Sequence, residues 1–344
     1  MLNRLKPRAA IVGIAGPVLL AEEAALFRAL PPAGIILFSR NIQDRVQLAA
    51  LIASLRQVLP ADADVMVDQE GGRVARLKPP HWRAHPPAAA LGRLFEADPA
   101  AALRTAWLTG ALIGYDCRAA GFTVAAAPVL DISVPGAHDV IGDRALARHP
   151  VAVARLGRSI ANGLLAAGVL PVAKHAPGHG RAHVDSHLAL PRVPEADLSA
   201  DIRPFALNAD LPWMMTAHIV YDALDPQLPA TLSETVIATI IRGRIRFKGV
   251  LVTDDLAMNA LSGAPADRAV RALAAGCDVA LYCSGDLAPT QALLRACPPL
   301  TQAAEQRLGA GRAAAMSRRL SLDPALLAKE REQLLSNERE RLLT

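Results

Sequence analysis

Five short apolar runs in this sequence each end in a side chain that can carry charge, move a proton or attack carbon. VMVDQE reaches Asp68, PVLD reaches Asp131, PVAKH reaches Lys174 and His175, MMTAH reaches His218, and LVTDD reaches Asp254 and Asp255. One or two such residues would be read as caps on the next helix. Five on separate runs are better explained as one site, provided the runs converge. A carboxylate there can act as nucleophile or hold hydroxyl groups. An imidazole can pass protons in both directions near neutral pH, because its ordinary pKa is about 6.5.

The segment KHAPGHGRAHVDSHL spaces His175, His179, His183 and His187 by four. On a helix this would be a stripe of metal ligands. Pro177, Gly178 and Gly180 oppose a continuous helix there. The spacing therefore carries no metal site, and the segment reads as an active-site loop. Asp185 and His187 lie two apart, as if a turn presented them together. A carboxylate beside an imidazole fixes its tautomer and stabilises its cation; the plain alternative is a structural Asp–His contact. DQEGGRVARL places a strand-end Asp68 before two glycines and then Arg73 and Arg76, a set that could grip sugar hydroxyls.

These groups must be positioned by the elements around them. Short β-branched or aliphatic runs alternate with longer stretches of helical periodicity from AAIVGIAG to APTQALLRAC, eight strand–helix units in all. Apolar strands alternating with helices form a parallel sheet covered by helices. Eight units predict an α/β fold of the (β/α)8 (TIM) barrel type, in which strand ends converge on one mouth. A single domain is expected, with the barrel over residues 1–300 and a helical extension over 301–344 packed on its outside. Within LVTDD, alternation sets Val250, Val252 and Asp254 on one face and Leu251, Thr253 and Asp255 on the other, so Asp255 reads as a helix cap.

Composition narrows the class. The basic start runs straight on into a strand and reads as no signal peptide, and no apolar run approaches the roughly 20 residues of a membrane span. Cys117, Cys277, Cys283 and Cys297 lie far apart without a CxxC pair, as reduced core cysteines of a cytoplasmic protein would. The net charge of +5 is spread along the chain, without the clustered basic face that a nucleic acid requires. No nucleic acid, membrane, cofactor or metal is expected as a partner.

DQEGGRVARL, KHAPGHGRAHVDSH and GVLVTDDLAM occur in that order, each at a strand end. Together they resemble the motifs of single-domain glycoside hydrolase family 3 β-N-acetylhexosaminidases, above all those of bacterial peptidoglycan recycling. The resemblance runs from about residue 10 to about residue 300. It implies Asp254 as nucleophile and Asp185 with His187 as acid/base dyad. It implies that Asp68, Arg76, Arg144, Lys174 and His175 hold the non-reducing sugar. The substrate it implies is a small carbohydrate, an N-acetylglucosamine-containing muropeptide, cleaved with retention by a monomer. Ala176 stands where the family has Phe, and Leu146 where it has a larger or aromatic residue.

Two rival readings remain at this point. A phosphorylase would use the same fold and covalent intermediate with phosphate in place of water. A metal-dependent barrel hydrolase would need its histidines preorganised on rigid elements, which the His-rich loop does not provide.

Overall fold

The computed structural model describes residues 5–186 and 188–343. Eight parallel strands close into a barrel: Arg8–Val12, Pro32–Leu37, Asp64–Val67, Val124–Ala125, Leu170–Ala176, Trp213–Thr216, Val250–Asp255 and Val279–Tyr282. Each pairs with its neighbours in sequence order, and the first pairs with the last through Ala10 and Ala280. The (β/α)8 barrel expected from the sequence is the fold observed.

The alternation of each strand builds two layers. Ile11, Ile36, Met66, Val172, Trp213, Met215, Val250 and Val252 point inward and fill the barrel. Ile35, Val65, Ala173, Met214, Leu251 and Ala280 point outward against the helices. Because side chains change face at every residue, Asp254 continues the inward row of Val250 and Val252 to the open mouth.

The opposite mouth is closed by the helix Gln302–Ser317. Its Ala304, Leu308 and Ala315 join the inner cluster. Arg312 meets Asp64 at 2.9 Å and Arg307 meets Asp278 at 2.6 Å, both aspartates lying where strands begin. This helix was expected on the outside; its small residues let it approach the strand ends and plug them instead. Leu308→Ala should remove a methyl cluster from that plug and cost about 2–5 kcal/mol of stability. Chemical denaturation should show the loss, while kcat/KM of the folded enzyme stays unchanged because the site lies at the other end.

Two further departures concern helices. The long segment after the third strand holds the helix Ala88–Ala97 ahead of Pro99–Ala119, where one helix was expected. Asp98 separates them: it accepts from the Ala101 amide at 3.0 Å and is followed by Pro99 in the first turn. Val236–Arg244 winds as a π-helix. The last helix, Pro324–Leu343, packs on Pro99–Ala119, where Arg104 forms a two-armed pair with Glu330. Among the described residues no helix is long and apolar enough to cross a membrane.

Candidate active site

The open mouth holds a pocket of about 180 Å³ lined by residues from the second to the eighth strands and their loops, among them Asp68, Glu70, Arg76, Arg144, Lys174, His175 and Asp254. That is below the roughly 300–1,000 Å³ of sites built for drug-sized ligands, and suits one small ring.

Asp254 sits on the pocket floor. Its Oδ1 accepts the Asp255 amide at 2.8 Å. Burial alone would push its carboxyl up. His175, His218, the Asp255 amide and the Lys174 ammonium outweigh burial and bring it down to about 2. The group is therefore ionised throughout the neutral range. Its folded pKa lies below the ordinary value of about 3.9, so its contribution to stability is present above that value and is lost as pH falls toward 2.

Asp255 does other work. Its Oδ1 accepts the amides of Ala257 and Cys283, both at 2.9 Å. The expected helix cap is thus a turn cap that also ties the seventh strand to the end of the eighth. No helix follows it directly; the next one begins at Pro265. Burial raises its carboxyl pKa, against those two amides.

A ladder of alternating charge lines one wall. Lys174 lies between Asp68 at 3.2 Å and Glu70 at 2.6 Å. Arg76 donates to Asp68 at 3.1 Å, and its guanidinium lies 5.2 Å over the Phe38 ring. Arg144 grips both oxygens of Glu70 at 2.9 Å. Burial would raise the Glu70 carboxyl, but Lys174 and Arg144 hold it far below the usual carboxylate range. All of Asp68, Arg76, Arg144, Lys174 and His175 are brought to this pocket. Glu70, which the sequence reading did not single out, joins Lys174 to Arg144.

His175 is oriented from behind. Its Nδ1 lies 2.7 Å from Oδ2 of Asp131, which is fully buried and also accepts the His175 and His179 amides. Burial would raise the Asp131 carboxyl; His175 and His179 lower it. The His179 ring stands edge-on to His175, and its Nε2 is 3.1 Å from the Ser186 hydroxyl. Burial and the neighbouring His175 depress the His179 pKa to about 4, so this ring is neutral at pH 7. His218 lies behind the floor, with Nε2 donating to the Asp255 carbonyl at 3.0 Å. His183 is exposed.

The loop after the fifth strand leaves this group at a close contact. A Cβ on Gly180 would fall 2.0 Å from the Ile132 carbonyl oxygen, so only glycine lets the loop lie there. Further along, the Asp185 carbonyl accepts the amides of Leu188 and Ala189 and closes a turn. His187, the expected proton donor, lies outside the described residues. Among the described residues, no group of three or more His, Cys, Asp or Glu is placed to hold a metal ion.

Residues 19–310 match the family model described as the glycosyl hydrolase family 3 N-terminal domain. The chain belongs to glycoside hydrolase family 3. Within that family it groups with the β-hexosaminidases. It is 40% identical over 305 residues to the β-hexosaminidase of Alkalilimnicola ehrlichii, covering 87% of this chain and 86% of that one. It is 38% identical over 291 residues to the β-hexosaminidase of Bordetella pertussis, covering 83% and 82%. Among solved family 3 structures, NagZ from Neisseria gonorrhoeae in complex with N-trifluoroacetyl-D-glucosamine superposes with a TM-score of 0.84 at 30% identity, covering 97% of this chain and 98% of that one.

Proposed function

We propose that this glycoside hydrolase is a retaining β-N-acetylglucosaminidase that removes terminal non-reducing N-acetylglucosamine from muropeptides, acting as a cytoplasmic monomer in peptidoglycan recycling. The observation that carries the reading is an ionised carboxylate, Asp254, on the floor of a pocket sized for one sugar ring. The glucosamine derivative bound by the Neisseria gonorrhoeae enzyme supports the choice of sugar.

The chemistry follows from the groups present. Asp68, Glu70, Arg76, Arg144, Lys174 and His175 offer donors and acceptors for ring hydroxyls. Asp254 attacks the anomeric carbon through Oδ2, because Oδ1 is engaged by the Asp255 amide. His187, paired with Asp185, gives its proton to the departing glycosidic oxygen. A covalent glycosyl–Asp254 ester forms as that bond breaks. Water then gives a proton to His187 and attacks the same carbon, releasing Asp254 and restoring the β configuration.

Water is favoured over phosphate as acceptor by the charge ladder. Arg76, Arg144 and Lys174 are each paired with Asp68 or Glu70, so among the described residues no cation of that wall lacks a carboxylate partner. Product analysis in phosphate and phosphate-free buffers should yield free sugar in both.

Specificity gives the direct test. A chromogenic β-N-acetylglucosaminide should be cleaved with a kcat/KM at least about 100-fold above that of the matching β-glucoside, the scale expected when a site's buried polar groups are left unpaired. Equal or faster release from the glucoside would reject the proposed specificity.

A further inference from the structure

We propose that His179 and Ser186 form a clasp that sets the position of the acid/base loop, so that both act as positioning residues for proton transfer to the leaving group. The inference rests on the reading of His187 as proton donor.

The clasp has two halves. Ser186 lies between Asp185 and His187 in sequence and is almost fully buried, at 2% exposure, in a loop whose neighbours Val184 and Leu188 are exposed. Its hydroxyl lies 3.1 Å from His179 Nε2. Its carbonyl accepts the Ala260 amide at 3.2 Å. One residue thus joins the acid/base loop to its own root and to the segment that follows the seventh strand, which carries Asp254.

The root is itself fixed. The His179 amide donates to Asp131 at 2.7 Å, and Asp131 also holds His175 at 2.7 Å. A continuous line of contacts therefore runs from Asp131 on the barrel through His179 to the residue between the two members of the dyad. His179 takes no part in the proposed chemistry. Its neutral ring can hold the Ser186 hydroxyl in either hydrogen-bonding sense across the working pH range. A donor displaced by even about 1 Å loses most of its advantage, which is why such supporting contacts matter.

The effect to look for is selective. A loosened loop should slow the steps in which His187 moves a proton, and kcat/KM isolates the first of them. In Ser186→Ala, kcat/KM for an N-acetylglucosamine disaccharide should fall by roughly five- to tenfold, the worth of one buried hydrogen bond. The kcat/KM of an activated nitrophenyl glycoside should change by less than about twofold, since its leaving group departs unprotonated and kcat/KM reports only the step that forms the ester. His179→Phe should reproduce the split, and His179→Gln, which keeps a polar group near the Nε2 position, should restore most of the loss. Melting temperatures measured alongside should remain within a few degrees for all three.

Equal losses on both substrates, or no loss on either, would overturn the clasp. His187→Ala, run in parallel, separates the two levels. If His187→Ala shows the leaving-group split and Ser186→Ala and His179→Phe do not, the clasp fails alone. If His187→Ala shows no split, the acid/base reading fails and the clasp with it.

Discussion

Asp254→Ala is expected to fold normally and to lose turnover by on the order of 10⁴- to 10⁶-fold, the scale seen when the nucleophile of a covalent mechanism is removed. The size follows from the site. Asp254 is delivered by a strand buried on both faces, its Oδ1 is held by the Asp255 amide, and its charge is maintained by His175, His218 and Lys174. The other carboxylates that line the pocket are engaged elsewhere. Asp68 and Glu70 are held by Arg76, Lys174 and Arg144, and Asp255 is engaged with two amides of the backbone. Asp255→Ala should behave differently, destabilising the junction of the seventh and eighth strands. A residual rate in Asp254→Ala within tenfold of wild type would mean that the attacking group is elsewhere. The acid limb of the wild-type pH profile should not track Asp254, whose pKa of about 2 lies below the range in which the enzyme is assayed.

His187→Ala should produce the second large effect, about 10²- to 10⁴-fold on substrates with poor leaving groups. Activated aryl glycosides should lose far less in the first step, because their phenolates leave without a proton. Asp185→Ala should show the same pattern more mildly, since it removes the partner of the imidazole and leaves the imidazole in place. The pH profile gives an independent check: the alkaline limb of kcat/KM on a disaccharide should disappear in His187→Ala. A loss of equal size for every leaving group would assign His187 another role.

Much of this site was legible in the sequence because a barrel converts order into position. Each apolar run ends where the mouth begins, so Asp68, Lys174, His175 and Asp254 could be placed together from the runs alone. Glu70 was not, because it lies three residues beyond its strand. Its importance appears only when Lys174 from the fifth strand and Arg144 from the loop after the fourth meet it. The roles of Asp131, His179 and Ser186 as supports depend on contacts between segments about 50 residues or fewer apart, which no local pattern encodes. The spacing of the histidines by four pointed toward a helix that Pro177 and two glycines forbid. What the loop has instead is a turn closed by the Asp185 carbonyl. The extra helix Ala88–Ala97 escaped notice because a run of Ala and Leu after a proline-rich loop offers no polar cap to mark its start. The plug formed by Gln302–Ser317 was read as surface for a related reason. Its two arginines, Arg307 and Arg312, are spent on aspartates at the strand starts, while Ala304, Leu308 and Ala315 face the barrel.

The central claim is a covalent glycosyl ester on Asp254. Incubation with a slow fluorinated N-acetylglucosaminyl donor, followed by proteolysis and mass mapping, tests it most directly. The account predicts one sugar per chain, carried by Asp254 in the peptide that contains GVLVTDD, together with a product of retained configuration. Label on Asp255, or no label and an inverted product, would contradict it.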